Sequence, residues 1–176
     1  MKFDLIMICP PWKLYKRYRT RGRCLPDNLP PQLQRSINAF EFIRQALWNF
    51  TADRHTVIVW VPSKQAVDCR KYMARLGYTV GGTFTWLRPR WQRGSDKKTM
   101  EYLMVCHKGD VSQVSLHFLN MEIPNFPGTV KKRSAKPASA YEFLEKEFPL
   151  ASKLQVYGWT KRPGWTVLHR NDEKIK

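Results

Sequence analysis

Acidic side chains are scarce in this chain: 14 Asp and Glu stand against 31 Lys and Arg, a formal net charge of +17 over 176 residues. That deficit favours a polyanion as partner, because surface Lys and Arg release counterions when they meet phosphates. A merely soluble basic protein is the plainer alternative, and an anionic membrane surface a third. Cysteine is sparse and unpaired. Cys9, Cys24, Cys69 and Cys106 include no C-x-x-C, so neither a zinc ribbon nor a disulfide framework organises the chain, and a reduced cytoplasmic compartment fits best. No apolar run approaches the roughly 18 residues of a spanning helix, and the N-terminus lacks a signal-peptide pattern, so a soluble protein with no membrane partner is expected. Internal repeats and low-complexity segments are absent. No histidines stand at metal-ligand spacing: His55, His107 and His117 are expected at strand edges or on the surface, His169 in a structural role, and no metal is expected.

What remains is a chain 43% hydrophobic and 13% aromatic, which suits one folded domain over residues 1–176. Apolar runs at 3–8 and 56–61 read as strands buried on both faces. Further strands are expected at 79–87, 101–107, 153–158 and 165–168. Ile37, Phe40, Ile43, Leu47 and Phe50 recur at helical spacing and predict one helix over 32–50. A second helix is expected after Pro62-Ser63, with Ala66, Cys69, Met73 and Leu76 inside and Gly77 as its stop, and a third over 138–147. Trp48, Trp60 and Trp86 suit core or strand positions. Strands alternating with helices imply an α/β sandwich with a mainly parallel sheet, in which ligands gather at the carboxyl ends of the strands.

The first strand ends in Cys9-Pro10-Pro11-Trp12. An indole beside a rigid Pro-Pro turn is suited to gripping a flat base, with proline carbonyls accepting from an exocyclic amine. The alternative is a strand end that uses prolines to stop and a tryptophan to pack. Directly after it, Lys13, Lys16, Arg17, Arg19, Arg21 and Arg23 alternate with Tyr15 and Tyr18 in a loop over 13–31. Cations for a backbone and rings for bases suit a single nucleic-acid strand; a solvated loop is the alternative. Arg88, Arg90, Trp91, Arg93, Lys97 and Lys98 form a second basic loop over 88–98, and Lys131-Lys132-Arg133 a third cluster.

Taken in order, these segments resemble the adenine amino-methyltransferases that include the catalytic subunit of the eukaryotic mRNA N6-adenosine methyltransferase and its bacterial and phage relatives. That family's D-P-P-W is matched by Cys9-Pro10-Pro11-Trp12, and its strand ending in W-V by Val57–Val61. Its E-x-L-x-V-x-x-K-G is matched by Glu101–Gly109, and S-x-K-P by Ser134–Pro137. The family's K-L-E-L-F-x-R is matched by Lys153–Trp159, and G-W-x-x-x-G-N by Gly164–Arg170. The resemblance implies a class I, Rossmann-like methyltransferase sandwich in permuted order, catalytic strand first, with S-adenosylmethionine as methyl donor. It implies methylation of the N6 amine of adenine in DNA or RNA.

Carried over position by position, Cys9, Pro10, Pro11 and Trp12 are the catalytic pocket, and Ser134, Lys136, Gln155, Trp159, Arg170 and Asn171 the cofactor contacts. Lys13, Tyr15, Lys16, Arg17, Arg19, Arg21, Arg88, Arg90, Arg93, Lys97 and Lys98 would contact nucleic acid. Trp165, in the G-W motif, lines the cofactor site or braces it. Three positions depart from the pattern. Cys9 replaces an aspartate that accepts from the target amine, Gln155 replaces a glutamate that reaches the cofactor ribose, and Trp159 replaces an arginine. A thiol is a weak acceptor, so low activity is expected. A non-catalytic, nucleic-acid-binding member of the same fold is the alternative, as a homodimer or as the partner of a related active subunit. A thiolate attacking a pyrimidine is a third idea that lacks a supporting motif.

Overall fold

The run Leu5-Ile6-Met7-Ile8 is fully buried and lies at the middle of a six-stranded sheet. The computed structural model describes residues 1–12, 29–34, 36, 38–88, 99–109, 136–158 and 161–169. Strand β1 (Phe3–Ile8) sits between β2 (Thr51–Pro62) and β5 (Lys153–Gly158), parallel to both. Strand β6 (Trp165–His169) continues the parallel set beyond β5. On the other side β4 (Thr99–Lys108) runs antiparallel to β2, and β3 (Thr79–Arg88) antiparallel to β4. The order is β3-β4-β2-β1-β5-β6. Continuous apolar strands at the centre follow from helices covering both faces.

One face carries Ile6, Ile8, Val57, Val59, Val61, Met104 and Cys106, packed under α2 (Ala39–Phe50) and α3 (Ala66–Arg75). The other carries Leu5, Met7, Ile58, Trp60, Phe84, Trp86, Leu103 and Val105 under α4 (Ala138–Glu147). Burying a large apolar side chain contributes about 1.5–3 kcal/mol, so these two layers supply most of the drive to fold. The helix expected over 32–50 is two. A short α1 (Pro31–Gln34) ends before Asn38, whose side chain accepts from the Glu41 N–H at 2.9 Å and so starts α2 afresh. Trp48, expected inside, is 79% exposed on α2, because its neighbours Ala46 and Leu47 take the buried stripe. No helix among the described residues is long and apolar enough to cross a membrane.

Two histidines expected at edges or on the surface are buried instead. His107, 1% exposed, lies on β4 between two neighbouring strands and bonds the Thr56 hydroxyl at 3.1 Å. His55 holds the Ala52 carbonyl and the Tyr78 hydroxyl at 2.6 and 2.7 Å. Burial favours neutral imidazole at both, pushing His107 down to about 4 and His55 in the same direction. Because the unfolded chain protonates first, near pH 6.5, stability is complete above that value and falls as pH drops toward 4. His107 alone should cost about 3 kcal/mol across that window. Unfolding free energies measured from pH 7 to 4.5 should show the decline, and His107→Asn should flatten it; an equal slope in the variant would assign the decline elsewhere.

Strands β5 and β6 are parallel neighbours joined by only six residues, 159–164. Lys153 pairs with Trp165, so the chain must return the length of the strand, about 17 Å, within a segment that reaches little beyond 20 Å. No crossover helix fits. Glu145 of α4 holds this return. It accepts from Arg162 Nε and Nη2 at 2.5 and 2.8 Å and from Trp165 Nε1 at 2.8 Å, while the Arg162 guanidinium lies 5.4 Å over the Tyr141 ring. The Arg162 bonds hold the Glu145 carboxyl below its ordinary value. Glu145→Ala strands three donors, one on a buried indole; allowing for partial exposure of the ion pair, the loss should be about 1–2 kcal/mol. A urea midpoint equal to that of the parent chain would show that the return is held by other contacts.

Candidate active site at the carboxyl ends of β1 and β5

The period-two alternation of the strands sends Cys9, Trp60, Trp86, Glu101 and Gln155 to the α4 side of the sheet, all at the same end. Lys136, just before α4, joins them. Its ammonium is ion-paired to Glu101 and lies 4.7 Å and 5.7 Å from the ring centroids of Trp60 and Trp86. The two side chains are only 13% and 14% exposed, so the pair is held in a low-dielectric setting where the carboxylate and the aromatic faces both favour the cation.

Cys9 closes β1, its backbone N–H donating to the Val156 carbonyl at 3.1 Å. The Lys136 charge and the Gln155 amide both favour its thiolate. Burial outweighs both and pushes the thiol up to about 11. The side chain is therefore a neutral S–H at pH 7, which removes the thiolate needed to attack a pyrimidine.

Gln155, 1% exposed, donates from Nε2 to the Tyr141 hydroxyl at 2.8 Å, and its Oε1 is buried without a partner among the described residues. The backbone beyond it departs from strand geometry. Tyr157 takes φ 65°, a left-handed conformation costing about 1–2 kcal/mol for a non-glycine residue. The turn drops its ring on the opposite face, edge-on to Phe42 at 5.8 Å. Val156 and Tyr157 thus share one face, and the place a regular strand would give to Tyr157 is taken by Gly158 and the Gln155 amide folded over it. A Cβ at Gly158 would lie 2.2–2.5 Å from Cδ, Nε2 and Oε1 of Gln155.

Trp12 goes the other way. Its indole Nε1 donates to the Trp60 carbonyl at 2.8 Å, its ring meets Phe40 edge-on at 5.5 Å, and it packs against the α2–α3 face. Its backbone N–H bonds the Pro10 carbonyl at 2.8 Å, leaving that oxygen one lone pair without a donor among the described residues. The structure therefore brings Cys9, Lys136 and Gln155 together and leans Trp12 to the far side of the sheet. Trp165 braces the crossover through Glu145 and stands edge-on to Tyr141 at 5.7 Å. Arg88 closes β3. Ser134, Trp159, Arg170 and Asn171, with Lys13, Tyr15, Lys16, Arg17, Arg19, Arg21, Arg90, Arg93, Lys97 and Lys98, lie outside the described residues, as does the Lys131–Arg133 cluster. Glu101, which opens the E-x-L-x-V match, and Tyr141, which lies outside every matched motif, were not among the expected site residues. For Glu101 the signal was present: it alternates in phase with Leu103 and Val105, placing a carboxylate on a buried face.

A mixed six-stranded sheet in this order, flanked by helices and with a polar cluster at the carboxyl ends of its parallel strands, is that of a Rossmann-like methyltransferase. The MT-A70 family pattern matches residues 3–171, and the chain belongs to the MT-A70 family. No curated protein matches it.

Gly158→Ala should evict the Gln155 amide and break its bond to Tyr141, at about 1–3 kcal/mol. With Gln155→Ala already in place the same change should cost far less. A double-mutant cycle by chemical denaturation reads the coupling; additive costs would mean that the amide is not what excludes a side chain at 158.

Proposed function

We propose that the protein is an S-adenosylmethionine-dependent methyltransferase acting on the N6 amine of adenine in DNA or RNA. What supports this is the convergence of Cys9, Lys136 and Gln155 at the ends of β1 and β5 in an MT-A70 domain. The cluster suits the cofactor chemically. The partnerless Gln155 Oε1 can accept from a ribose hydroxyl, and Lys136, with one of its three N–H donors on Glu101, keeps two for the carboxylate of an amino-acid group. Bound there, S-adenosylmethionine supplies an electrophilic methyl group.

The protein's part is to make the amine nucleophilic by accepting its protons. The remaining lone pair of the Pro10 carbonyl can take one N–H. Cys9 is a poor acceptor for the other, since its sulfur stays protonated and neutral. Lacking one charge-assisted bond costs about 1.5–3 kcal/mol, or roughly ten- to more than a hundredfold in rate. The reaction is slow for that reason, and it is slow at the acceptor and not at the scaffold.

A second interpretation is a non-catalytic, nucleic-acid-binding member of the family. The observation favouring it is Trp12, whose N–H is committed to Trp60 and whose ring is packed on Phe40. Calorimetric titration with S-adenosylmethionine separates the two: heat at micromolar cofactor supports the enzyme, whereas silence beside tight oligonucleotide binding supports the alternative. For the enzyme, Cys9→Asp should raise methyl transfer to an adenine-containing oligonucleotide at least tenfold, because a carboxylate at 9 gains both the Lys136 charge and the Gln155 amide as partners. Liquid chromatography of digested nucleosides reads N6-methyladenine directly. A folded, cofactor-binding variant with no gain would place the fault outside position 9.

A further inference from the structure

Helix α3 carries cations that its own stability does not explain. Lys64, in the 3-10 turn before it, and Arg70 and Lys71 within it are exposed, with Asp68 the one acid on the helix. None of the three is ion-paired among the described residues; Arg70 bonds only the Thr83 hydroxyl of β3, at 3.1 Å. Arg75 and Lys108 have a local reason to be where they are. Arg75 lies in the last turn and Lys108 Nζ donates to the Leu76 carbonyl at 3.3 Å, both complementing the negative end of the helix. Lys64 stands at the positive end, where a cation is disfavoured, and Arg70 and Lys71 lie too far from either terminus to benefit.

Position distinguishes this patch from a solvated face. Lys64 lies two residues beyond Pro62, the last residue of β2, so the row starts at the carboxyl edge of the sheet, the edge that holds Cys9 and Lys136. Along the same helix the Tyr72 ring lies 4.9 Å from that of Phe40, tilted by 43°, and Phe40 meets Trp12 edge-on at 5.5 Å. All three rings are only partly buried. The cations are thus joined through an aromatic row to the tip of β1.

We propose that Lys64, Arg70 and Lys71 form a phosphate-binding track by which a nucleic-acid strand, leaving the carboxyl edge of the sheet, runs back over α3. Three unpaired charges on a rigid element suit a polyanion. A membrane surface suits them less, since Val67 is the one large apolar side chain exposed on α3. This track extends the proposed nucleic-acid function to a surface away from the reacting groups.

The test is oligonucleotide binding by the full chain over a salt series. The triple variant Lys64→Gln, Arg70→Gln, Lys71→Gln is compared with Lys2→Gln, Lys146→Gln, Lys161→Gln, which removes the same charge at exposed positions elsewhere. For single-stranded DNA the α3 variant should bind about tenfold or more weakly at low salt, and its salt slope should shrink by about 2, from three contacts at roughly 0.7 each. The control should change less than threefold. Equal losses in the two variants would reduce the track to bulk charge and overturn it. So would a parent chain that binds no oligonucleotide, or an α3 variant that keeps oligonucleotide binding while losing anionic phosphatidylserine vesicles. Cofactor titration of both variants distinguishes this from failure of the methyltransferase assignment: retained cofactor binding with equal nucleic-acid losses sinks the track alone.

Discussion

Joining two parallel neighbours with six residues is the constraint on which the site depends. A regular crossover would place a helix over the ends of β5 and β6. Here the chain has to leave β5 sharply and come back to the start of β6 within six residues. The sharp exit is met by Tyr157 in the left-handed region and by Gly158. The return is held by Glu145, which ties Arg162 and Trp165 to α4. The consequence at the site is specific. Tyr157 leaves the α4 face of the sheet, the Gln155 amide folds over Gly158 in its place, and Tyr141, from the same helix that supplies Glu145, fixes that amide. The crossover and the position of Gln155 beside Cys9 are two results of one backbone event.

Electrostatics then decides what the cluster can do. Lys136 and Glu101 cancel each other between two indole rings, and Cys9, Gln155 and Tyr141 add hydrogen-bonding capacity without charge at neutral pH. Burial also pushes the Tyr141 hydroxyl up, so no second anion forms there. A site of this kind can hold and orient polar ligands well. It is weaker at drawing protons from an amine, which needs an acceptor that strengthens as positive charge develops. In the proposed methyl transfer, the single cysteine would therefore limit rate more than binding.

Much of the fold was legible in the sequence because strands buried on both faces leave an unmistakable trace: the bounds 3–8 and 153–158 coincide with β1 and β5. Strand β2 begins at Thr51, five residues before its apolar run, since Thr51–Arg54 carry no burial signal. The interruption before α2 was hidden because helical spacing continues across it, and the decisive residue, Asn38, acts through a cap and not through burial. His107 illustrates a different limit. Its burial comes from β4 being an interior strand, a fact of strand order that no local pattern encodes. The sequence named Cys9, Lys136 and Gln155 one by one, but it did not carry their arrangement. Cys9 and Trp12 are near in sequence, but two prolines break the alternation that would tell which face each one takes.

Trp12 shows why that arrangement matters. Its indole bonds the carbonyl of Trp60, a residue whose own ring lies under Lys136 on the opposite face. One residue of β2 therefore serves both sides: its backbone anchors the aromatic row leading to α3, and its side chain supports the cation beside Cys9. A strand passing from α3 to the site would have to round the sheet edge at this point, where Pro10 and Pro11 leave no slack in the backbone. Rigidity here has a physical use. The acceptor oxygen of Pro10 and the aromatic row keep a fixed relation to each other, so ordering of the tip would not be charged against a flexible strand binding there.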